Sequence, residues 1–238
     1  MAKSLSEDLN LEVNRHTLRR FLKKLGYSWK RFKKSLKKNQ DPVKYTAKLE
    51  ELKVLLQLHK QDYIDLFFAD ESGFNLEGYI PYGWQAKGEY IEITPSKTPS
   101  VQLFGLMSLD NRLEAYSCKG SINSETAIAF IEDFFQSRDQ PTVIIIDNAP
   151  IHHSNKFKTK IQEWKQEQFY VFYLPEYSPH LNPIEILWRK IKYEWLKYED
   201  MESQQQLEDE LIDIINQFGK QYNIDFKEHK AEVSNIFA

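Results

Sequence analysis

At 238 residues the chain is long enough for one substantial domain with a small appendage. Its 41% apolar and 28% charged residues are those of an ordinary water-soluble protein. No apolar run approaches the roughly 20 residues that cross a bilayer, and Met1–Asp8 lacks the apolar core of a signal peptide, so a membrane partner is not expected. The single cysteine, Cys118, excludes an internal disulfide and a cysteine metal cluster, and fits a reducing, cytoplasmic setting.

The net charge of −3 hides an asymmetry. Residues 1–40 hold 12 Lys/Arg against 3 Asp/Glu, a surplus of nine positive charges, so the remainder carries −12. This pattern predicts a basic arm for a polyanion on a more acidic body. Within the arm, Leu18, Phe21, Leu22 and Leu25 share one helical face, and Gly26 can end that helix. Arg15, Arg19, Arg20, Lys23 and Lys24 occupy the other faces. A short helix around Leu5–Leu11 would make a partial helix-turn-helix, half of a DNA-binding region, because such a unit needs a third helix to close its core. The basic run from Tyr27 to Lys38, with Lys30 and Arg31, interleaves aromatics with cations and suits phosphate contacts on double-stranded DNA. A solvated basic helix is the plainer alternative.

Asn39–Pro42 breaks the chain, and a helix from about Val43 to Lys60 follows. The pattern then turns to strands: Ile64–Ala69, Tyr90–Thr94, and Val101–Leu109 paired with Leu113–Cys118 across Asp110-Asn111. Ser124–Ser137 reads as a helix with Ser124 as N-cap. Thr142–Ile146 holds four consecutive β-branched apolar residues, the mark of a strand covered on both faces. A helix over His153–Lys165, a strand over Phe169–Leu174, and helices over Pro183–Tyr198 and Gln204–Phe218 complete the chain. The expected organisation is an arm at 1–40, a connecting helix at 41–62 and an α/β domain at 63–238, with a mixed sheet and helices on both faces.

Three carboxylates stand at the edges of these elements: Asp70 and Asp147 at strand ends, and Glu185 at a helix start. Clustered without a cation they would repel one another. Mg²⁺ wants such oxygen ligands and keeps several waters, and two ions about 4 Å apart can serve phosphodiester displacement. In that arrangement Asp70 bridges both ions, and Asp147 and Glu185 each complete one. Taken singly, the two aspartates could cap turns and Glu185 could simply favour the helix dipole. Glu71 adjoins Asp70 but points to the opposite face of the strand. His152 and His153 could orient a ligand or start a helix. Asn148 and Asn182 could brace the loops, with capping the better reading for Asn182. Trp188 and Trp195 read as core residues, and Tyr79–Trp84 as an aromatic turn.

Three motifs then carry a resemblance. Phe68-Ala69-Asp70-Glu71-Ser72-Gly73, Ile146-Asp147-Asn148-Ala149-Pro150-Ile151-His152 and the stretch Leu174–Trp188, with Ser178-Pro179-His180-Leu181-Asn182-Pro183-Ile184-Glu185 at its centre, resemble the catalytic motifs of mariner-superfamily transposases, bacterial insertion-sequence branch. The resemblance implies a ribonuclease-H-like fold and an Asp-Asp-Glu triad on Asp70, Asp147 and Glu185. It implies DNA hydrolysis at element ends with Mg²⁺ (Mn²⁺ as a substitute), then attack of the freed 3′-OH on target DNA by a dimer on paired ends. Relatives carry a longer N-terminal region, so a split reading frame with a separate DNA-binding chain, a truncated copy or a fragment is expected. The alternatives are a DNA-binding remnant without catalysis and a stand-alone metal-dependent endonuclease.

Overall fold

A computed structural model describes residues 10, 14–28, 41–76, 101–197 and 203–226. The expected strand at 90–94, the aromatic turn at 79–84, Lys30 and Arg31 lie outside them, as does the expected helix at 5–11 apart from Asn10. The chain divides into two compact units, Met1–Lys38 and Asn39–Ala238.

In the first unit, helix α1 (Arg15–Lys24) begins where Asn14 Oδ1 accepts the His16 amide at 2.8 Å. It ends at Gly26, φ +80°. There the Gly26 and Tyr27 amides return to the carbonyls of Lys23 and Leu22 at 3.0 and 2.9 Å, a closure that a left-handed glycine permits. None of its residues is buried.

The second unit is built on five strands, β1 (Asp65–Phe74), β2 (Val101–Met107), β3 (Leu113–Lys119), β4 (Thr142–Ile146) and β5 (Phe169–Tyr173). Their order is β3-β2-β1-β4-β5. The β1-β2-β3 pairings are antiparallel, whereas β1-β4 and β4-β5 are parallel. Five helices accompany them among the described residues: α2 (Pro42–Lys60), α3 (Ser124–Gln136), α4 (Asn155–Gln166), α5 (Ile184–Lys190) and α6 (Gln204–Gln217). Strand alternation splits the core in two. On one face Leu66, Phe68, Val143 and Ile145 pack with Leu52 of α2, Leu187 and Trp188 of α5, and Leu207 and Leu211 of α6. On the other, Phe67, Ala69, Ile144 and Ile146 pack with Ile131 and Phe134 of α3 and with Phe157 and Trp164 of α4. Every residue of β4 is buried, as its unbroken apolar run predicts.

Several boundaries differ from the sequence reading. Strand β1 runs on through Phe74, because β2 pairs with it from Phe68 to Phe74; Asp70 therefore lies inside a strand and not at its end. Asn123, not Ser124, caps α3, its Oδ1 accepting the Thr126 amide at 3.0 Å. A 3₁₀ turn at Pro150–His153 precedes α4, which Ser154 caps. The helix expected over 183–198 is α-helical only to Lys190, then becomes a π turn at Ile191–Trp195 with the Leu196 amide on the Ile191 carbonyl at 3.0 Å. Among the described residues no helix is long and apolar enough to cross a membrane.

Candidate active site

Parallel pairing of β1 and β4 sets Phe68 opposite Ile145. Two residues on, the same register brings Asp70 beside Asp147, on the face that carries Phe68 and Ile145. Helix α5 packs on that face and presents Glu185 in its first turn. Asp70, Asp147 and Glu185 line one open cavity of about 540 Å³, with Asn148, Asn182 and the turn at 174–179 as its other walls. Tyr177 in that turn holds φ +56°, an uncommon conformation for a bulky residue and one that clusters at functional sites.

The start of α5 is tied to the strand. Asn182 does not cap the helix with its side chain; its Nδ2 donates to the Ala69 carbonyl at 3.2 Å, one residue before Asp70. The backbone carbonyl of Asn182 accepts the Glu185 amide at 3.2 Å. One asparagine thus links the residue before the strand acid to the amide of the helix acid.

Each acid has a distinct setting. Asp70 is half-buried, and Trp188 Nε1 donates to its Oδ2 at 3.1 Å. Burial, then the charges of Glu185, Glu71 and Asp147, push its pKa well above the usual carboxylate range. Glu185 is likewise raised, by burial first; Lys192 opposes the shift and Asp147 adds to it. Solvent reaches Asp147 and Glu185 across the cavity mouth. Asp147 Oδ1 accepts the Ala149 amide at 2.9 Å, which fixes the carboxylate in its turn.

Behind Asp147 stands a buried pair that the sequence reading underrated. Glu71 points to the opposite sheet face, as alternation requires, and His152 Nε2 lies 3.5 Å from its Oε1 and 3.6 Å from Asp147 Oδ1. Burial and the Asp147 charge raise Glu71 to about 7. Burial holds His152 down at about 4, against the pull of Asp147. His152 is 1% exposed and packs edge-on to Phe157, so it backs Asp147 and cannot meet a phosphate. The exposed neighbour, His153, lines the cavity; it stacks on Tyr173 at 4.7 Å and faces Asn148 Oδ1 at 3.3 Å. Asn148 donates to the Leu174 carbonyl, closing β4 onto the chain after β5.

Lys192 was not singled out from the sequence. It sits in the π turn with its ammonium 5.0 Å from the Phe74 ring centre; burial lowers its pKa, and Glu185 and Asp70 pull it back up. A lysine seven residues after a helical acid shares its face of the helix, which is the signal that would have found it.

Among the described residues no three His, Cys, Asp or Glu side chains converge tightly enough to form a metal cage. The triad nonetheless fits a hard divalent cation: its donors are all oxygen, its charges repel, and Mg²⁺ commonly takes one or two carboxylates and fills its sphere with water and substrate oxygens. In the first unit, Arg15, Arg19, Arg20, Lys23 and Lys24 are all exposed on α1.

A family model described as DDE superfamily endonuclease matches residues 65–208. Over 199 residues the chain is 29% identical to the insertion element IS630 uncharacterized 39 kDa protein of Shigella sonnei, covering 80% of this chain and 55% of that protein. The chain therefore spans about half the length of the curated relative it matches. Among solved structures, the Mos1 strand transfer complex superposes with a TM-score of 0.58 at 14% identity, over 91% of this chain and 67% of that one. The Mos1 transposase paired-end complex with left transposon end gives 0.59 at 15%, over 90% and 66%. At such identities the likeness is one of fold, and the fold is ribonuclease-H-like.

Proposed function

The chain belongs to the DDE superfamily endonucleases, and from that premise we propose that it is the catalytic part of a DNA transposase, cutting phosphodiester bonds at element ends and joining the freed 3′-OH to target DNA. The observation that supports this most is the meeting of Asp70, Asp147 and Glu185, from two strands and a helix, on one open cavity. These three are the catalytic, metal-holding residues of the proposal, with Mg²⁺ as the ion, two per site, and Mn²⁺ able to replace it.

A bound divalent cation would polarise a phosphoryl oxygen and favour a hydroxide or alkoxide nucleophile. The protein's own residues do the rest. The triad sets where negative charge is concentrated and which oxygens face the cavity. The Ala149 amide holds Asp147, and Asn182 holds the strand and helix that carry Asp70 and Glu185. In hydrolysis water attacks phosphorus and the 3′-oxygen leaves as a hydroxyl. In strand transfer that hydroxyl attacks a target phosphate and releases a target 3′-OH. The exposed cations of α1 are proposed to bind DNA phosphates, residues 1–40 to form the recognition arm, and the active species to be a dimer on paired ends, with a separate N-terminal chain as a further partner.

Nicking of supercoiled plasmid in Mg²⁺ or Mn²⁺ tests the reading, wild type against Glu185→Ala. Metal-dependent nicking that the variant lacks is the expected result. Equal nicking by both proteins would sink the triad. Replacing Arg15, Arg19 and Arg20 together by Ala should weaken DNA binding and lower its salt slope by up to about 3; an unchanged slope would remove α1 from the interface.

A further inference from the structure

The Asp70 hydrogen bond has a built seat. Trp188 is 3% exposed, yet its Nε1 reaches a carboxylate on the neighbouring strand at 3.1 Å. The ring passes directly over Gly105 of β2, and Gly105 is the register partner of Asp70. A Cβ at Gly105 would lie 2.6 Å from Trp188 Cη2 and 2.8 Å from Cζ2, closer than real Cβ atoms come. Glycine inside a strand weakens it relative to alanine, and it marks places where another group must approach closely. Phe74, four residues after Asp70 on the same face, meets the indole edge-on at 6.1 Å and 73°. The ring is therefore held from below and from the side.

We propose that Trp188 is a positioning residue for Asp70: seated on Gly105, its indole N–H fixes the plane of the Asp70 carboxylate toward the cavity where a divalent cation binds. The proposal rests on the metal-dependent reading above. Rotation about the last bond of an aspartate side chain is soft, so a carboxylate held only at Cβ samples many planes. Beside the backbone hydrogen bond from Glu71 that Asp70 also accepts, a donor on Oδ2 narrows that freedom further. Trp188 also stands three residues after Glu185, one helical turn on. The same indole thus sets the distance between the strand acid and the helix acid. A buried indole usually finds an acceptor, and for Trp188 the acceptor is a triad carboxylate.

The test is Mn²⁺ titration of the full chain by calorimetry, with plasmid nicking and thermal melting in parallel. Four proteins are compared: wild type, Gly105→Ala, Trp188→Phe, and a chain in which an isosteric benzothiophene replaces the Trp188 indole, keeping its shape and removing its N–H. The benzothiophene chain should melt within a few degrees of wild type while its half-saturating Mn²⁺ rises about tenfold, the low end of what supporting groups contribute to metal sites. Gly105→Ala, which displaces the ring, and Trp188→Phe, which removes the N–H, should shift the Mn²⁺ dependence in the same direction. Unchanged Mn²⁺ binding in the benzothiophene chain, or no Mn²⁺ binding by wild type, would overturn the proposal. Wild type that binds Mn²⁺ tightly but never nicks would sink the cleavage reading and leave the role of Trp188 standing. Wild type that nicks, beside a benzothiophene chain with the same Mn²⁺ dependence, would do the reverse.

Discussion

Strand β1 carries two acids in opposite circumstances, one at its start and one at its middle. At its start, Asp65 is 7% exposed and pairs with Arg112, Nη2 to Oδ1 at 2.7 Å. Burial works against the Asp65 charge, but the Arg112 hydrogen bond and charge win, and its pKa lies below the ordinary value. Arg112 in turn stacks over Phe67 and bonds Asp110 at 2.9 Å. Five residues on, Asp70 meets burial and three more carboxylates, and its pKa goes the other way. One strand thus holds a structural acid answered by an arginine and a cavity acid surrounded by like charge. The second is eased by uptake of a proton, by Lys192 or by a cation from outside the chain, and perturbed acids of this kind gather at functional sites.

Neutralising one triad member should separate the two settings most sharply. Asp147→Asn is expected to lower strand cleavage by at least about 10³-fold, the scale of losing a group that acts only in the transition state. The same change relieves repulsion on Asp70, so thermal melting should hold or rise. A variant that melts earlier and still cleaves would invert both assignments. At the start of β1, Arg112→Ala should leave cleavage per folded molecule unchanged and destabilise by about 1–3 kcal/mol, since it takes the arginine from a buried carboxylate; denaturant melts would register this, and a loss below about 0.5 kcal/mol would demote the pair.

The acid limb of the stability profile sharpens the contrast further. The folded pKa of Asp65 is depressed. Its contribution is therefore complete above the unfolded value, near 4, and is lost as pH falls through the folded value. Wild type should lose stability more steeply than Arg112→Ala below about pH 4, and parallel limbs would mean that the pair does not titrate with folding. The smallest effect belongs to charges exposed at both partners. Lys53 meets Glu50 at 2.8 Å on α2 with side chains 43% and 62% exposed, and Lys53→Ala should move stability by less than about 0.5 kcal/mol.

Local physics made much of this protein legible in its sequence. The branched run Thr142–Ile146 can only be a strand buried on both faces, and it is. Gly26 ends α1 because no other residue takes φ +80° there without strain. The α/β class follows from the order of elements, and the triad candidates from acids beside strand and helix patterns. What local pattern could not contain came from pairing at a distance. The length of β1 past Asp70 was set by β2, about thirty residues away in sequence and paired through Phe74. Asn182, beside a proline at a helix start, reads as a cap, yet its amide is drawn to the Ala69 carbonyl once α5 docks on β1.

The same division runs through the site. Residue types and their order alone set which acids were candidates and that, brought together, they would repel. Only the tertiary structure decided that His152 would be buried behind Asp147 while His153 faces the cavity, and that a core tryptophan would reach Asp70 across a strand glycine. The reason is geometric: periodicity along a chain fixes which face a side chain takes, whereas the neighbour on that face is chosen by strand register and helix docking, which no local stretch encodes.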